Sequence, residues 1–488
     1  MDLATNGTET DVDCGGSCAT KCMVTKACLI DTDCASSTCF NKVCVNTPTF
    51  TSVTPNMGPT TGNTPVTLNG TNFFPVGMAA TSVTFGGTAG TVPQVTAATT
   101  ATAMTPARLN QVGLVNVVLT LPGNHSYTLT NGFRYYYGQL GFNAPVAVNN
   151  TIAHGGMAVA DVDNDGDMDV IAARPATGSV AVLINNGAGT FVAANYPTTT
   201  GPTRLATADF DGNGLVDVAV THTNGIVVVM FNSAAVKGTF PTRTPTTVAA
   251  GAILTGVVAV DVDGVNRADI LVTDRTNNRV SLLKNGGGGT FVVTANYPMG
   301  VAVTTPLEMA SGDFNADGRQ DVVFTSATTV NTWSCLNMAG TSFACTANTS
   351  FPTSDVRVAD INSDGKQDFV LTAVGNPNVF AYTGNGAGAF NQVATNGIAG
   401  NWTSLQLVDI NKDTYTDIVF SNSAAGANQV GVALGRNDGT FQAGTAIRAL
   451  TAAPGRVVVG QFNTGVDQKD DFAVSTTSGV NISLSNAQ

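Results

Sequence analysis

Short apolar runs alternate with Gly- and Asn-rich turns from residue 138 to the C-terminus. Runs such as MAVADV, DVIAA and SVAVLIN are rich in Val, Ile and Ala. This pattern predicts short strands rather than helices. A phenylalanine opens each group of about four runs, at steps of 49, 49, 51, 52, 47 and 51 residues: Phe142, Phe191, Phe240, Phe291, Phe343, Phe390 and Phe441. Four short strands repeated about every 50 residues predict a seven-bladed β-propeller over residues 138–488.

The first and last repeats predict how the ring closes. The first repeat begins with an outermost strand near Phe142, whereas the last repeat ends with an inner strand, NISLS. If Phe142 pairs with the segment Asn481–Ser485, the seventh blade is completed from both ends of the domain and no sheet edge stays open. A stacked solenoid is the alternative architecture, but solenoids need polar capping repeats and neither end has one.

Residues 48–137 differ in composition: they are rich in Thr, Val and Gly, and their apolar and polar residues alternate as in β-strands. Turn residues break the segment at Pro55, Gly62 and Asn69-Gly70, and TSVTFGG, GLVNVVLTLPG and NGFRYYY read as further strands. This pattern predicts an immunoglobulin-like β-sandwich. The PNMGP turn, the GTNF run and the closing aromatic strand resemble the IPT/TIG family, and the resemblance implies a rigid spacer or a dimer contact.

Residues 1–47 contain most of the cysteines and little else to bury: Cys14, Cys18, Cys22, Cys28, Cys34, Cys39 and Cys44. A segment this short needs covalent cross-links or a bound metal ion to fold. It has no Cys-x-x-Cys pair and no His, so disulfides are favoured over zinc, with the pairing left open. The runs NGTETDVDCGGSCATKC and DCASSTC resemble Cys-rich modules repeated in large bacterial surface proteins. In that pattern another Cys lies upstream of Asp2, so the resemblance implies that the module is truncated upstream.

Six of the seven repeats carry a nine-residue acidic window between two strands. The windows are DVDNDGDMD, DFDGNGLVD, DVDGVNRAD, DFNADGRQD, DINSDGKQD and DINKDTYTD, and they hold 20 of the 33 acidic residues. Carboxylates crowded in this way repel one another unless a cation lies between them, and Ca²⁺ takes six to eight oxygen ligands. Positions 1, 3, 5 and 9 offer side-chain oxygens, position 7 offers its backbone carbonyl, and Gly at position 6 permits the sharp turn. The windows therefore predict calcium sites.

Four windows match this pattern fully, and a fifth has Thr414 in place of Gly. The expected ligands, with position 7 contributing its carbonyl, are Asp161, Asp163, Asp165, Asp167, Asp169, Asp209, Asp211, Asn213, Leu215, Asp217, Asp313, Asn315, Asp317, Arg319, Asp321, Asp360, Asn362, Asp364, Lys366, Asp368, Asp409, Asn411, Asp413, Tyr415 and Asp417. The window of Asp261, Asp263 and Asp269 has Val265 at position 5 and is expected to bind weakly. No site is expected in the seventh repeat, where Gln461 replaces the first Asp.

Three alternatives to this kind of calcium site apply to the windows. An Asx- and Gly-rich hairpin turn without metal is the alternative for any single window. Magnesium is disfavoured because it demands octahedral geometry, and an EF-hand would need flanking helices and a Glu at position 12. The repeats resemble the FG-GAP/VCBS repeats of integrin α-chain propellers and of many bacterial surface proteins. That resemblance implies a seven-bladed propeller with structural calcium ions, about five in number, on one rim.

Residues that enter the inner strands are expected on the face opposite the acidic windows. They are His154, Arg204, Glu308, Asp355, Trp402 and Arg456. Aromatic and charged groups there suit a sugar or a peptide, and the alternative is a solvated rim with Trp402 packed under a loop. Elsewhere, Cys335 and Cys345 flank the turn LNMAGTSF, and we expect a disulfide across that hairpin.

Composition narrows the class of protein further. Only 11% of residues are charged, and Glu and Lys are scarce, which excludes a mainly helical fold. A formal net charge of −12 without any basic run argues against nucleic acid as a partner. The chain has no apolar stretch long enough for a transmembrane helix and no signal peptide. The dense cysteines indicate an oxidising, extracellular compartment, so we expect a mature form or a fragment of a secreted protein.

These features favour an extracellular bacterial surface module without enzymatic activity. In this hypothesis a disulfide-stapled segment and a spacer carry a calcium-rigidified propeller for adhesion, and a surface protein or a glycan is the partner. The N-terminal region is a candidate for assembly into a larger surface structure. A second hypothesis is a carbohydrate-binding lectin that uses Trp402. A third is a secreted polysaccharide lyase or hydrolase, for which Glu308 and Asp355 are the acidic pair outside the windows.

Overall fold

The structure is a computed structural model that is almost entirely β. It describes residues 10–11, 14–16, 19–74, 80–148, 155–298, 305–327, 332–338, 340, 342–349, 351–373, 376–393, 402–423, 428–464 and 469–486. Within them the helical residues lie in two single-turn 3-10 helices, Asp31–Asp33 and Pro175–Thr177. Contacts divide the chain into two compact units: residues 1–140 with 411–413 and 487–488, and residues 141–410 with 414–486. The all-β class predicted from the sequence is confirmed.

Three disulfides hold the cysteine-rich segment of the first unit. They are Cys14–Cys22, Cys28–Cys39 and Cys34–Cys44, and Cys18 lies outside the described residues. Strands β1 (Cys39–Phe40) and β2 (Val43–Cys44) form a small hairpin here. The sulfur atoms take the place of a core, because the large apolar side chains of Met23, Leu29 and Ile30 are exposed.

Two antiparallel-type sheets pack face to face in the rest of this unit. The strands are β3 (Thr49–Thr54), β4 (Met57–Pro59), β5 (Pro65–Thr71), β6 (Ser82–Phe85), β7 (Thr88–Ala89), β8 (Thr91–Ala97), β9 (Thr100–Met104), β10 (Gly113–Leu121) and β11 (His125–Tyr136). One sheet has the order β4-β11-β10-β6-β7 and the other β3-β5-β9-β8, with β4 parallel to β11. Leu68, Phe85 and Phe133 lie in the core between them. The predicted Ig-like sandwich is confirmed.

The second unit forms seven four-stranded sheets from its described residues. Its strands are β12 (Val146–Val148), β13 (Met157–Ala160), β14 (Asp169–Arg174), β15 (Ser179–Asn185), β16 (Phe191–Pro197), β17 (Pro202–Ala208), β18 (Asp217–His222), β19 (Ile226–Phe231), β20 (Thr242–Thr247), β21 (Leu254–Val260), β22 (Asp269–Asp274), β23 (Arg279–Asn285), β24 (Phe291–Pro298), β25 (Pro306–Gly312), β26 (Asp321–Ser326), β27 (Trp333–Asn337), β28 (Phe343–Ala347), β29 (Thr353–Ala359), β30 (Asp368–Ala373), β31 (Val379–Gly384), β32 (Phe390–Gln392), β33 (Trp402–Val408), β34 (Asp417–Asn422), β35 (Gln429–Ala433), β36 (Thr445–Ala449), β37 (Pro454–Gly460), β38 (Asp471–Thr476) and β39 (Gly479–Ser483). Blades 1 to 6 are the successive groups of four strands from β13 to β36. Blade 7 has the order β12-β39-β38-β37.

Blade 7 closes the ring in the way that the sequence predicts. Strand β12 pairs with β39, with Val146 opposite Ile482, and Phe142 forms a bridge with Ser485. The first strand of each blade contacts the first strand of the next, and β37 of blade 7 contacts β13 of blade 1. The ring therefore has no open end at which another strand could add.

Neighbouring blades pack through the second strand and through the repeated phenylalanine. All six residues of β14 are buried, as are those of the second strand in every other blade, because each sheet is covered on both faces. Phe291 of blade 3 contacts Phe210 in the acidic window of blade 2, with 5.6 Å between ring centroids. Phe191 makes the same contact with Phe462 across the closure of the ring. The repeated phenylalanine is thus an inter-blade contact.

Candidate metal centre

The last Asp of each of the six acidic windows begins the second strand of its blade, and Asp471 has the equivalent place in blade 7. All seven are at most 1% exposed: Asp169, Asp217, Asp269, Asp321, Asp368, Asp417 and Asp471. One carboxylate oxygen accepts the amide of window position 2, at 2.8–3.1 Å. The other accepts an amide at or just beyond the end of the third strand, at 2.6–2.8 Å. This Asp therefore connects the window to the end of the third strand through hydrogen bonds to both of its carboxylate oxygens.

The first Asp of each window curls the chain around itself. Its Oδ2 accepts the position-6 amide in all six windows, at 2.6–3.0 Å, as Asp161 does from Gly166. Its Oδ1 accepts the position-5 amide in five windows, at 3.1–3.2 Å. This curl brings the oxygens of positions 1, 3 and 9 together: the ligand atoms of Asp161, Asp163 and Asp169 lie within 4.8 Å of one another.

The groups within the first window fit a hard cation. Oδ1 of Asp163 is buried and accepts no hydrogen bond in the described part of the chain. Burial raises the pKa of Asp169 to about 7, against the effect of its two amide donors, and raises the pKa of Asp217 and Asp368 to about 6. A cation beside these carboxylates would favour their charged forms. Oxygen donors at this spacing are the donor set that calcium prefers.

Comparison with known families agrees with this geometry. Residues 161–220, 209–272, 261–324 and 360–420 match the FG-GAP-like repeat, and residues 48–137 match the IPT/TIG domain. The chain carries an FG-GAP β-propeller preceded by an IPT/TIG domain. No curated protein matches the chain.

Several solved structures resemble this chain at low sequence identity. BBS1N in complex with ARL6DN, in a crystal soaked with lead, has a TM-score of 0.50 and 13% identity over 70% of this chain and 96% of that chain. The mercury-soaked crystal of the same complex gives 0.49 and 14% over the same shares. A protein from Lactobacillus plantarum gives 0.47 and 12% over 69% of this chain and 92% of that one. These likenesses concern the fold alone.

In blade 3 of the FG-GAP propeller, the ammonium group of a lysine side chain lies in the acidic window. Asp261, Asp263 and Asp269 converge as in blade 1, but Nζ of Lys284 on β23 lies 2.5 Å from Oδ2 of Asp263. The hydrogen bond from Lys284 lowers the pKa of Asp263. The ammonium supplies positive charge where position 5, Val265, supplies no oxygen. The weak site expected from Val265 stays a prediction, and Lys284 is a feature that the sequence analysis missed.

We predict that two substitutions convert blade 3 into a full calcium site. Val265→Asp adds the missing oxygen and Lys284→Leu removes the competing ammonium, so the double variant should bind one more calcium ion per chain than the parent. Equilibrium dialysis against ⁴⁵Ca²⁺ measures this number. The matched control is Val265→Leu with Lys284→Leu, which removes the ammonium without adding a ligand. Equal calcium binding by both variants would refute the assignment.

The position-6 residue of each window adopts a positive φ, which explains the glycines there. Gly166, Gly214 and Gly318 have φ of 96°, 81° and 81°, and Thr414 has φ of 80° at the same position. A β-branched residue is strained in this region. The sequence predicts this strain from Thr414, and the backbone angle agrees with it.

We therefore predict that Thr414→Gly stabilises the propeller by about 1 kcal/mol, because it relieves a strained φ. The gain should appear in thermal melts with calcium and with chelator, since the strain belongs to the backbone. Thr416→Gly is the matched control: Thr416 is not among the residues with positive φ, and its Oγ1 donates to Asp360 O at 2.9 Å. That control should lower stability. A Thr414→Gly variant that melts below the parent would contradict the prediction.

The structure brings together only some of the residues predicted for the face opposite the acidic windows. Arg204, Glu308, Asp355 and Arg456 meet in one network, while His154 lies outside the described residues. Of the two alternatives for Trp402, the structure agrees with the packed one and not with a ring that faces a ligand. Its side chain is in the core against Phe420 and its Nε1 donates to Pro377 O at 2.8 Å, because the apolar ring is better buried than exposed.

Cys335 and Cys345 lie opposite each other on β27 and β28 and form a disulfide. The bond links paired strands around the turn that the sequence singles out. The two strands belong to blade 4, so the link adds a covalent tie within one blade. It makes no link between blades.

Proposed function

We propose that this protein is an extracellular, calcium-stabilised module without enzymatic activity, which presents its FG-GAP propeller for adhesion or assembly at a surface. The observation that carries the proposal is the repeated curl of the acidic windows, and in the first window a buried oxygen of Asp163 has no donor among the described residues. Five windows have ligands at positions 1, 3, 5, 7 and 9 and would each hold one Ca²⁺. Calcium there would stabilise the rim of the ring.

The disulfides and the domain types support an extracellular location. The described residues contain four disulfides, three of them in a segment that has almost no apolar core. Such bonds persist in oxidising environments. No helix in the described residues is long and apolar enough to cross a bilayer. We infer that the cysteine-rich segment and the IPT/TIG domain act as a spacer or assembly region.

The residues on which the lectin and the lyase or hydrolase hypotheses depend are engaged in other contacts. A lectin that stacks sugars on Trp402 is not favoured, because that ring is in the core of the propeller. A lyase or hydrolase would need an acid that can donate a proton. Burial by itself would raise the pKa of Asp355, but the guanidinium groups of Arg357 and Arg456 outweigh it and hold the pKa below its usual range. Glu308 is paired with Arg204 and Arg456.

Two measurements test the proposal. Equilibrium dialysis should give about five bound calcium ions per chain, and Asp313→Asn should remove one, because the substitution weakens one full window. Beads coated with the chain should adhere to bacterial or host cell surfaces in millimolar calcium and detach in EDTA. Binding of no calcium would contradict the calcium part. Beads that adhere to no surface in calcium would contradict the adhesion part.

A further inference from the structure

A charged pocket of about 290 Å³ lies where the first strands of several blades begin. Its charged lining residues are Arg204, Arg275, Glu308, Asp355 and Arg456. They come from blades 2, 3, 4, 5 and 7, so the pocket is assembled by the ring and not by one blade. A volume of this size admits a single side chain or a sugar ring.

The pocket has an excess of positive charge. Three guanidinium groups face two carboxylates in its lining, in a chain whose formal net charge is −12. Arg357 contacts Asp355 at 2.7 Å and adds a fourth guanidinium group beside the pocket. A locally positive pocket on a negative protein selects anionic groups.

Two of the arginines have donors to spare. Arg456 is committed to the network: it binds both oxygens of Asp355, at 3.0 and 2.9 Å, and also Glu308. Arg204 uses Nε for Glu308 and Nη1 for Thr203 O, which leaves Nη2 without an acceptor in the described residues. Arg275 is exposed, and its guanidinium group has no acceptor in that part of the chain. These free groups can bind a carboxylate in a fork.

The uncharged residues that line the pocket favour a polypeptide over an acidic sugar as the source of the carboxylate. The hydroxyls of Thr203, Thr255 and Thr403 donate to carbonyl groups of the neighbouring blades, so their protons are not available to the oxygen atoms of a sugar. No aromatic ring lines the described part of the pocket, so a sugar ring has nothing to stack on. A carboxylate on a polypeptide needs neither feature.

We propose that this pocket binds a carboxylate of a partner protein, from an acidic side chain or a chain terminus, through Arg275 and Nη2 of Arg204. The proposal rests on the adhesion part of the proposed function and is independent of its calcium part. The buried network of Glu308, Asp355 and Arg456 holds the pocket in shape before the ligand arrives, which reduces the cost of ordering it on binding.

Ligand-detected NMR on the whole chain in saturating calcium tests the proposal. The probes are N-acetyl-glutamate amide, its neutral analogue N-acetyl-glutamine amide, N-acetyl-alanine with a free carboxyl end, and glucuronate. We expect the two peptide carboxylates to bind with a Kd on the order of 1 mM, and the neutral amide not to bind. Arg275→Ala should weaken binding at least fivefold and Arg275→Lys less, because lysine lacks the planar fork. Arg243→Ala, an exposed arginine on β20, is the control and should change nothing.

Several outcomes would overturn the proposal. Equal binding of the acid and the neutral amide, or an unchanged affinity in Arg275→Ala, would exclude the carboxylate site. Glucuronate binding more tightly than the peptide acids would make an acidic sugar the occupant. Beads that adhere to cells while the probes fail to bind would overturn the pocket alone. Beads that fail to adhere while the probes bind would overturn the proposed function alone.

Discussion

Removal of calcium with EDTA is expected to lower the melting temperature of the propeller by about 15–25 °C. Extracellular calcium sites have dissociation constants on the order of 10⁻⁴–10⁻³ M, so at about 10 mM calcium each site adds about 1.4–2.7 kcal/mol to the free energy of unfolding. Five such sites add about 7–13 kcal/mol, and about 2 °C per kcal/mol is typical of a large domain. Differential scanning calorimetry with calcium and with EDTA measures the change.

The windows themselves provide the controls for this experiment. Asp161→Asn in blade 1 should reduce the calcium-dependent part of the melting temperature, because it weakens a full site. Asp261→Asn in blade 3 should leave that part unchanged, because Lys284 already pairs with Asp263 there and Val265 supplies no ligand. Readdition of calcium should restore the melt, and magnesium should not. Identical melts in calcium and in EDTA would contradict the calcium proposal.

The periodic features of this fold could be predicted from the sequence. The repeated Phe and the acidic windows recur at nearly constant steps, so the number of blades and the closing contact of Phe142 with Ser485 follow from counting. Within each window the order of oxygens also follows, because the curl is local. Such features depend on residues that are close along the chain.

Features that depend on residues far apart along the chain could not be predicted. Arg456 meets Asp355 from 101 residues away, and Arg204 meets Glu308 from 104. The pairing of the N-terminal cysteines is equally unpredictable, because six cysteines allow 15 connectivities. Trp402 could not be assigned to one of its two alternatives for a related reason: entry into an inner strand does not tell which side of the strand is covered. Asp471 offered a missed signal, since it persists in the seventh blade without a matching window and so marks a structural role.

The buried ion network around the axis should contribute the largest effect of any single side chain. Arg456 and Asp355 are 7% and 3% exposed, and the network joins blades 2, 4, 5 and 7. Burial by itself would lower the pKa of Arg456, but the carboxylates of Asp355 and Glu308 outweigh it and raise the pKa above its usual value. Each charge is therefore balanced by its partners, and a missing partner leaves the others uncompensated.

Arg456→Met is expected to destabilise the propeller by about 3–5 kcal/mol, because it leaves Asp355 and Glu308 with less compensation in a buried site. Asp355→Leu should cost a similar amount, since Arg456 then loses its bidentate partner. The double variant should lose clearly less than the sum of the two, because no charge of this pair remains to be compensated. Thermal melts in saturating calcium measure the cycle, and Arg243→Met on the exposed outer strand β20 is the control, with a change within about 0.5 kcal/mol. If the two single losses add in the double variant, or Arg456→Met melts like the parent, the network does not hold the blades together.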